Sequence, residues 1–265
     1  MAVFCDTHAH LDFDSFDPDR DAVIDRAAAN GLQFIINIAI DLEGSQKSLA
    51  LTREYPGFVF STVGIHPNYS SDLTESDLSI IKDLTTNPEV VAIGEIGLDF
   101  YRDHATPQQQ LRALEAQLAI AEQVELPVVI HERASAHQLV PILTRWYQNL
   151  PEDSRLKLNP GVMHAFSADQ EHLEPLLNCN FYFGIGGPVT YKNASDKRAL
   201  VLSLPMEKML LETDCPFLSP QAHRGRRNEP AYIPLIAQKI ADLRGLPVEE
   251  VGVQLTSNAR ILFGL

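Results

Sequence analysis

Residues 3–13 read VFCDTHAHLDF, an apolar, strand-like run that ends in two histidines, His8 and His10. Successive side chains of a strand point to opposite faces, so these two imidazoles point the same way, together with Asp6. Neutral imidazole is the commonest protein ligand for metal ions. Taken alone, the pair fits a solvent-exposed strand face equally well. The rest of the chain decides between the two interpretations, because the same pattern recurs.

An apolar run followed by an amphipathic stretch repeats along the whole chain of 265 residues. Strands that alternate with helices predict a parallel sheet. We expect a single (β/α)8 TIM-type barrel that forms one domain over residues 1–265, with an open, doubly wound sheet as the alternative. Strands are predicted at 3–8, 34–40, 59–66, 90–96, 127–131, 161–165, 181–186 and 209–214. Helices are predicted at 21–30, 75–86, 108–125, 136–150 and 169–177, after Ser45, after Asp196 and twice between Glu229 and Leu265.

The composition is that of an ordinary globular enzyme, with 45% hydrophobic and 21% charged residues. No apolar run approaches the ~20 residues that span a membrane, so no membrane association is expected. Three cysteines do not make a disulfide framework and no secretory signal is visible, so we expect a cytoplasmic protein, and a monomer. The formal net charge of −14 argues against a protein that coats duplex nucleic acid, because such proteins present a basic surface.

Further metal-ligating side chains fall at the ends of the other predicted strands. In a parallel barrel the carboxyl ends of all strands converge on one rim, where the active site is built. Each residue taken singly is a satisfied core histidine or a strand-end carboxylate, but together they predict one shared site. These residues are His8 and His10 on strand one, His66 on strand three, Glu95 on strand four, His131 on strand five, His164 on strand six and Asp214 on strand eight.

The chemistry of this set favours two divalent ions. Without His66, four imidazoles and two carboxylates remain, which exceed one tetrahedral site but divide between two ions that Glu95 bridges. Two cations ~3.5–4 Å apart can clamp the attacking and leaving oxygens of a displacement reaction. Asp214 is then placed to accept the proton of the attacking water. Mixed imidazole and carboxylate ligands admit zinc, magnesium, manganese or iron.

The ordered motifs resemble the TatD-type metal-dependent deoxyribonuclease family of the amidohydrolase superfamily. The resemblance runs through DTHAHL, GIHP, GEIGLDFYR, PVVIHER, MHAF, GIGG, ETDCPFLSP, RGRRNEP and SNARILFGL, which covers essentially the whole chain. It implies a cytoplasmic hydrolase that cleaves DNA phosphodiesters from a 3′ end. It also implies His8, His10, Glu95, His131, His164 and Asp214 as the metal ligands. The chain departs from the family at Ala134 of HERASA, where the family carries an aspartate, which puts the substrate preference in doubt.

Several other polar residues are candidates for binding the substrate. His66 is surplus to the six ligands and is assigned to the substrate phosphate or the leaving group. A planar guanidinium suits bidentate phosphate contact, so the arginines near the predicted strand ends are candidates as well. Asp99 and Arg133 alternatively orient ligating histidines. The candidate arginines are Arg224, Arg226 and Arg227 in the loop after strand eight, together with Arg102 and Arg133.

Taken together, the sequence predicts a divalent-metal-dependent deoxyribonuclease that acts from the 3′ end of single-stranded or frayed DNA. DNA ends or short single strands are the expected partners. Two alternatives stay open at this point. The same site polarises a carbonyl equally well, which allows a hydrolase of a small amide, lactone or aminoacyl ester. The other alternative is a non-catalytic binding scaffold, although a site that has lost catalysis has no reason to keep a complete set of metal ligands.

Overall fold

A computed structural model describes residues 3–166 and 170–265 of the chain. Eight strands lie side by side in sequence order, and each is parallel to the next. Ala9 forms a parallel bridge with Cys215, and the N–H of Asp214 donates to the carbonyl oxygen of His8 over 2.8 Å, which closes the sheet into a barrel. The strands are β1 (Phe4–Ala9), β2 (Leu32–Asn37), β3 (Val59–Val63), β4 (Val90–Asp99), β5 (Val128–Arg133), β6 (Gly161–Met163), β7 (Tyr182–Ile185) and β8 (Met209–Leu211).

Helices alternate with the strands, and two more follow the last strand. None of the helices in the described part of the chain is both long and apolar enough to cross a membrane. The predicted helix 169–177 begins at Asp169, which lies outside the described residues. The helices are α1 (Arg20–Ala29), α2 (Leu42–Glu54), α3 (Glu75–Leu84), α4 (Pro107–Val124), α5 (Ala136–Asn149), α6 (Gln170–Asn178), α7 (Ser195–Ser203), α8 (Ile233–Arg244) and α9 (Val248–Phe263).

Local sequence signals account for where the helices begin and end. Before α4, the Thr106 hydroxyl accepts from the N–H of Gln109, the Gln109 side chain accepts from the N–H of Thr106, and Pro107 occupies the first turn. Helices α8 and α9 end at Gly245 and Gly264, whose φ angles of 67° and 74° are left-handed. Glycine adopts this conformation without a steric cost, so it terminates both helices.

Burial on both faces explains the apolar character of the strands. Every residue of β1 and of β4 is buried, as expected for a parallel sheet that is covered on its outer face and filled on its inner face. Helix α9 packs on β1 and β8, where Leu255 joins the main core cluster. The predicted (β/α)8 barrel is confirmed, and the open-sheet alternative is wrong.

The ends of several strands differ from the prediction in a way that matters for the site. The predicted strands 59–66, 161–165 and 209–214 overrun the observed ends at Val63, Met163 and Leu211. Ladder pairing stops there because the wall of the barrel ends. His66, His164 and Asp214 therefore stand in loop positions just above the wall, whereas His8, Glu95 and His131 lie within β1, β4 and β5.

Single backbone hydrogen bonds hold these loop positions against the neighbouring strands. The N–H of His66 donates to the carbonyl oxygen of Ile40 over 2.8 Å, and that of His164 donates to Ile130 over 3.0 Å. Backbone groups fixed in this way leave the side chains free to point across the rim.

Candidate metal centre

The residues predicted as metal ligands come together at the rim formed by the carboxyl ends of the strands. All of them except His8 line a cavity of about 760 Å³ that opens to solvent. The most exposed members are the side chains of His131 and Asp214, at 16% and 14%. We call these six residues the ligand cluster: His8, His10, Glu95, His131, His164 and Asp214. His66 lies beside Glu95 and His131 of this cluster.

One side of the ligand cluster consists of His8, His10 and Asp214. The Nε2 atoms of His8 and His10 lie 3.3 Å apart, and Asp214 Oδ1 lies 3.4 Å from His10 Nε2 and 3.8 Å from His8 Nε2. His10 Nδ1 lies 2.9 Å from the carbonyl oxygen of Ile38. A carbonyl only accepts, so His10 Nδ1 carries the proton and Nε2 presents a lone pair to the other two side chains.

These separations fit a bound cation. Ligand atoms about 2.0–2.2 Å from a tetrahedral zinc ion are about 3.3–3.6 Å from one another, close to the distances observed here. The donor chemistry agrees, because the lone pair of His10 Nε2 faces a second imidazole nitrogen and a carboxylate oxygen.

Glu95 occupies the centre of the ligand cluster and faces both sides with different oxygens. Its Oε2 lies 3.5 Å from His8 Nε2. Its Oε1 lies 2.8 Å from His131 Nδ1 and 3.7 Å from His164 Nε2. The carboxylate thus has the placement that a residue shared by two cations needs.

The electrostatics of the cluster keep its carboxylates charged. Burial acts to raise the pKa of Glu95, but the neighbouring imidazoles, His164 first, outweigh it and hold the pKa well below its usual value. Burial lowers the pKa of His131, but Asp99 and Glu95 raise it to about 9. Carboxylates bind metals in their charged form, whereas imidazoles must lose a proton first, so metal binding here competes with protons.

His66 differs from the other imidazoles in its hydrogen bonding. Its Nδ1 accepts from the N–H of Asn68 over 3.1 Å, so in the neutral ring Nε2 carries the proton. Burial lowers the pKa of His66 to about 3, against the opposing effect of Glu95. The ring is therefore neutral, and its Nε2 lies 3.9 Å from Glu95 Oε1. This geometry fits a hydrogen-bond donor better than a metal ligand.

Two buried carboxylates lie behind the ligating histidines. Asp99 Oδ2 lies 3.3 Å from His131 Nε2, as one of the two sequence interpretations of Asp99 expects. Glu212 Oε1 accepts from the N–H of Ala165 over 2.7 Å and lies 3.5 Å from His164 Nδ1. The sequence reasoning missed Glu212. Its position within the predicted strand 209–214, two residues before Asp214, is the signal that points to it.

Two of the candidate arginines reach the cavity. Among the described residues that line it, Arg102 and Arg133 are the arginines. The guanidinium of Arg133 lies 4.0 Å from the centroid of the Tyr101 ring, in a cation–π contact. Both are exposed and stand on the loop after β4 or at the end of β5.

The arginines after β8 lie elsewhere. Arg224 lines a neighbouring cavity of about 650 Å³ and stacks on Tyr191. Arg227 forms two hydrogen bonds with Asp19, of 2.8 and 2.7 Å, so its guanidinium is already paired within the fold. Arg226 is exposed on the same loop. The structure does not bring these three residues to the ligand cluster.

A family model described as TatD related DNase matches residues 5–264. The chain belongs to this family. It is 38% identical to the uncharacterized metal-dependent hydrolase YabD of Bacillus subtilis over 97% of this chain and 98% of that one. It is 37% identical to the 3′-5′ ssDNA/RNA exonuclease TatD of Erwinia amylovora over 98% of this chain and 99% of that one. The predicted TatD-family metal-dependent hydrolase and nuclease is thereby confirmed.

Solved structures agree with the family. YjjV, a TatD homologue from Escherichia coli, superposes with a TM-score of 0.89 at 32% identity, covering 99% of this chain and 98% of that one. A phosphotriesterase homology protein from Escherichia coli, at a TM-score of 0.67 and 16% identity, shares the fold alone. The TatD-related DNases are therefore the group in which the cavity and its ligand cluster must be interpreted.

Proposed function

We propose that this TatD-family protein removes nucleotides from the 3′ ends of single-stranded DNA, using two divalent metal ions. The ligand cluster carries the proposal, because the two oxygens of Glu95 face two different sets of imidazoles in an open cavity. The relative from Erwinia amylovora, named as a 3′-5′ ssDNA/RNA exonuclease, supports the direction and the type of strand. Membership of a family of DNases favours this function over the two alternatives, a hydrolase of small molecules and a non-catalytic binding scaffold.

The proposed ligands divide around Glu95. His8, His10 and Asp214 would hold one ion, His131 and His164 the other, and Glu95 would contact both. When bound, the ions would polarise the phosphoryl oxygen and lower the pKa of water. A set with four imidazoles fits zinc or manganese better than magnesium, which prefers oxygen ligands.

The remaining steps fall to side chains of the chain itself. Burial acts to raise the pKa of Asp214, but the nearby histidines hold it below its usual value, so this carboxylate is charged and accepts the proton of the attacking water. His66 donates its Nε2–H to the phosphate or to the leaving oxygen. Arg102 and Arg133 bind phosphates of the strand at the mouth of the cavity.

The setting follows from the same observations. The eight strands close into one barrel whose rim carries the whole ligand cluster, which supports one barrel domain as the unit that builds the site. Its three cysteines are buried and unpaired, which supports work in a reducing compartment such as the cytoplasm.

The test is hydrolysis of 3′-labelled and 5′-labelled single-stranded oligonucleotides, with chelator and after metal is added back. We expect early release of the 3′ label, loss of activity with chelator, and recovery with zinc or manganese. Asp214→Asn and His131→Ala should each lower the rate at least ~100-fold, given the size of general-base and metal effects. Circular dichroism controls for folding. Activity that resists the chelator, or near wild-type rates in both variants, would contradict the proposal.

A further inference from the structure

Exposed aromatic rings gather at the mouth of the cavity. In residues 3–166 and 170–265, the aromatic side chains classed as exposed are Tyr69, Tyr101 and Phe217, at 52%, 66% and 51%. Tyr69 and Phe217 line the cavity, and Tyr101 stacks against Arg133, which also lines it. Single exposed apolar residues are common, but their concentration around one opening marks a binding surface. We call these three rings the aromatic mouth.

Phe217 is held firmly although half of its surface is exposed. The N–H of Phe217 donates to the carbonyl oxygen of Asp214 over 2.8 Å. The carbonyl oxygen of Phe217 accepts from the side-chain amide of Asn228 over 2.6 Å. Its ring meets the edge of Phe13 at a centroid distance of 6.1 Å, and Phe13 stacks on the imidazole of His10 at 4.8 Å. A column of rings thus leads from a proposed metal ligand to the opening.

The charges around the aromatic mouth are unequal. Tyr69 and Phe217 also border an open groove of about 540 Å³. Its one lysine, Lys47, lies 2.9 Å from Glu43, one of the acidic residues along its wall. A phosphodiester backbone is repelled there, whereas a neutral nucleobase is not. We call it the acidic groove; its acidic residues are Asp12, Asp14, Asp41 and Glu43.

The edge of the cavity formed by the end of β5 and the loop after β4 carries its two arginines. Arg102 and Arg133 lie there with His104, and Tyr101 covers the guanidinium of Arg133. Guanidinium groups bind phosphates and stack with planar rings, so this edge suits a nucleic-acid strand. The two edges therefore favour different parts of a nucleotide.

We propose that Phe217 and Tyr69 form a platform for the 3′-terminal nucleobase, and that the strand leaves the cavity over Arg133 and Tyr101. This inference rests on the proposed exonuclease function and adds the position of the substrate. It accounts for recognition of an end, because the acidic groove turns away a strand that continues past the terminal base. Stacking tolerates every base, since each has a π-face, so the platform selects for an end and not for a sequence.

The test combines a change in the protein with a change in the substrate. Wild type and Phe217→Ala are compared on oligonucleotides that end in a normal nucleotide or in an abasic one. On the normal substrate Phe217→Ala should lower kcat/KM about tenfold, mainly through KM, the size of one lost stacking contact. For wild type, the abasic end should lower kcat/KM by a similar factor. Phe217→Ala acting on the abasic substrate should have a kcat/KM only slightly lower than either change gives alone. Phe217→Trp should restore most of the loss.

Three controls separate the possible outcomes. Ile261→Ala, an exposed apolar side chain on α9, should match wild type on both substrates. Metal content should be equal in all variants. The affinities of the same oligonucleotides are also measured by fluorescence anisotropy with chelator present. The platform would be overturned if the losses of kcat/KM from the variant and from the abasic end multiplied. A Phe217→Ala variant with the kcat/KM of wild type on the normal substrate would overturn it as well. Absence of cleavage by wild type would contradict the exonuclease function instead, and the anisotropy comparison would still decide on the platform.

Discussion

His10 and His66 carry the same ring, and the hydrogen bonds at their Nδ1 atoms give the two rings different capacities. His10 Nδ1 donates to the carbonyl oxygen of Ile38, which leaves Nε2 as a lone pair. His66 Nδ1 accepts from the N–H of Asn68, which leaves a proton on Nε2. A metal ion needs the first arrangement, and a phosphate or leaving oxygen needs the second.

This difference predicts separate phenotypes for the two substitutions. His66→Ala should keep the metal content of wild type while its turnover falls about 100-fold or more, the range of lost proton-transfer catalysis. His10→Ala should lose metal together with activity. Metal analysis of both purified variants beside their kcat values makes the comparison. A His66→Ala protein that has lost one equivalent of metal would show that this ring is a ligand.

The six expected ligands were accessible from the sequence because each belongs to a strand-end motif that is visible in one dimension. Glu212 was harder to find, because its contact with His164 depends on β6 and β8 lying two strands apart in the closed barrel. The arginines illustrate the opposite error. Arg227 belongs to a conspicuous basic run, yet Asp19, far away in sequence, pairs with it. Charge density along a chain does not show which charges are already satisfied.

Among the secondary elements, β7 packs tightly against Glu212, the carboxylate behind His164. A Cβ atom on Gly184 would lie 1.9 Å from Glu212 Oε2, whereas one on Gly186 would meet Glu212 Cγ at an ordinary 3.6 Å. Glu212 is buried and bonded to the N–H of Ala165, so it cannot move aside without losing that contact. The glycine in β7 makes room for the group that orients His164.

Gly184→Ala should therefore weaken metal binding by about 10–100-fold, the usual effect of disturbing a carboxylate behind a ligating histidine. The matched variant Gly186→Ala should stay close to wild type. Metal titration by calorimetry measures both. Equal affinities for the two variants would mean that Glu212 does not set the orientation of His164.

The eight strands and their order were predictable, because the hydrophobic periods of strand and helix alternate visibly along the sequence. This alternation is visible even where the strand or helix propensity of single residues is weak. The strand ends were less so. At β3 the apolar run continues through Gly64 and Ile65 beyond the last ladder bond, because these loop residues above the barrel wall are themselves buried. A sequence records burial more directly than it records hydrogen-bond pairing.

Helix α7 contributes a partly buried amine whose charge affects stability. Lys197 Nζ donates to the carbonyl oxygens of Ala165 and Phe166 over 3.3 and 2.8 Å. Burial lowers its pKa from 10.5 to about 8, although Glu212 and Glu132 oppose the shift. Between pH 8 and 10.5 the unfolded chain binds a proton that the folded chain does not, so this group makes stability rise with pH across that window.

Lys197→Met removes this titration. The variant is expected to lose two hydrogen bonds at every pH, but its urea midpoint should rise less than that of wild type between pH 7.5 and pH 9.5. The measurement compares how steeply the urea midpoint rises with pH in the two proteins, whatever the midpoint at any one pH. Lys192→Met, an exposed lysine just before the same helix, should keep the wild-type slope. Parallel pH profiles for Lys197→Met and wild type would contradict the assignment.

For the whole molecule, the formal net charge of −14 and the few cations at the mouth set the response to salt. If Arg102 and Arg133 are the groups that neutralise phosphates, two counterions leave a single strand on binding. The slope of log affinity against log salt concentration should then be about −1.4, shallow for a nucleic-acid-binding protein. Long duplex DNA should bind more weakly than a short single strand at physiological salt, because no broad basic face is available among the expected contacts.

Anisotropy titrations of a fluorescent 3′-ended oligonucleotide at several salt concentrations give this slope. Replacing Arg102 and Arg133 together by glutamine should bring it close to zero, because each phosphate contact on a single strand contributes about −0.7. Arg145→Gln, on the exposed face of α5, changes the net charge without touching the cavity and should leave the slope as it is. A slope several times steeper, or equal effects of the cavity and α5 variants, would mean that the strand spreads over the surface instead of entering the barrel by its end.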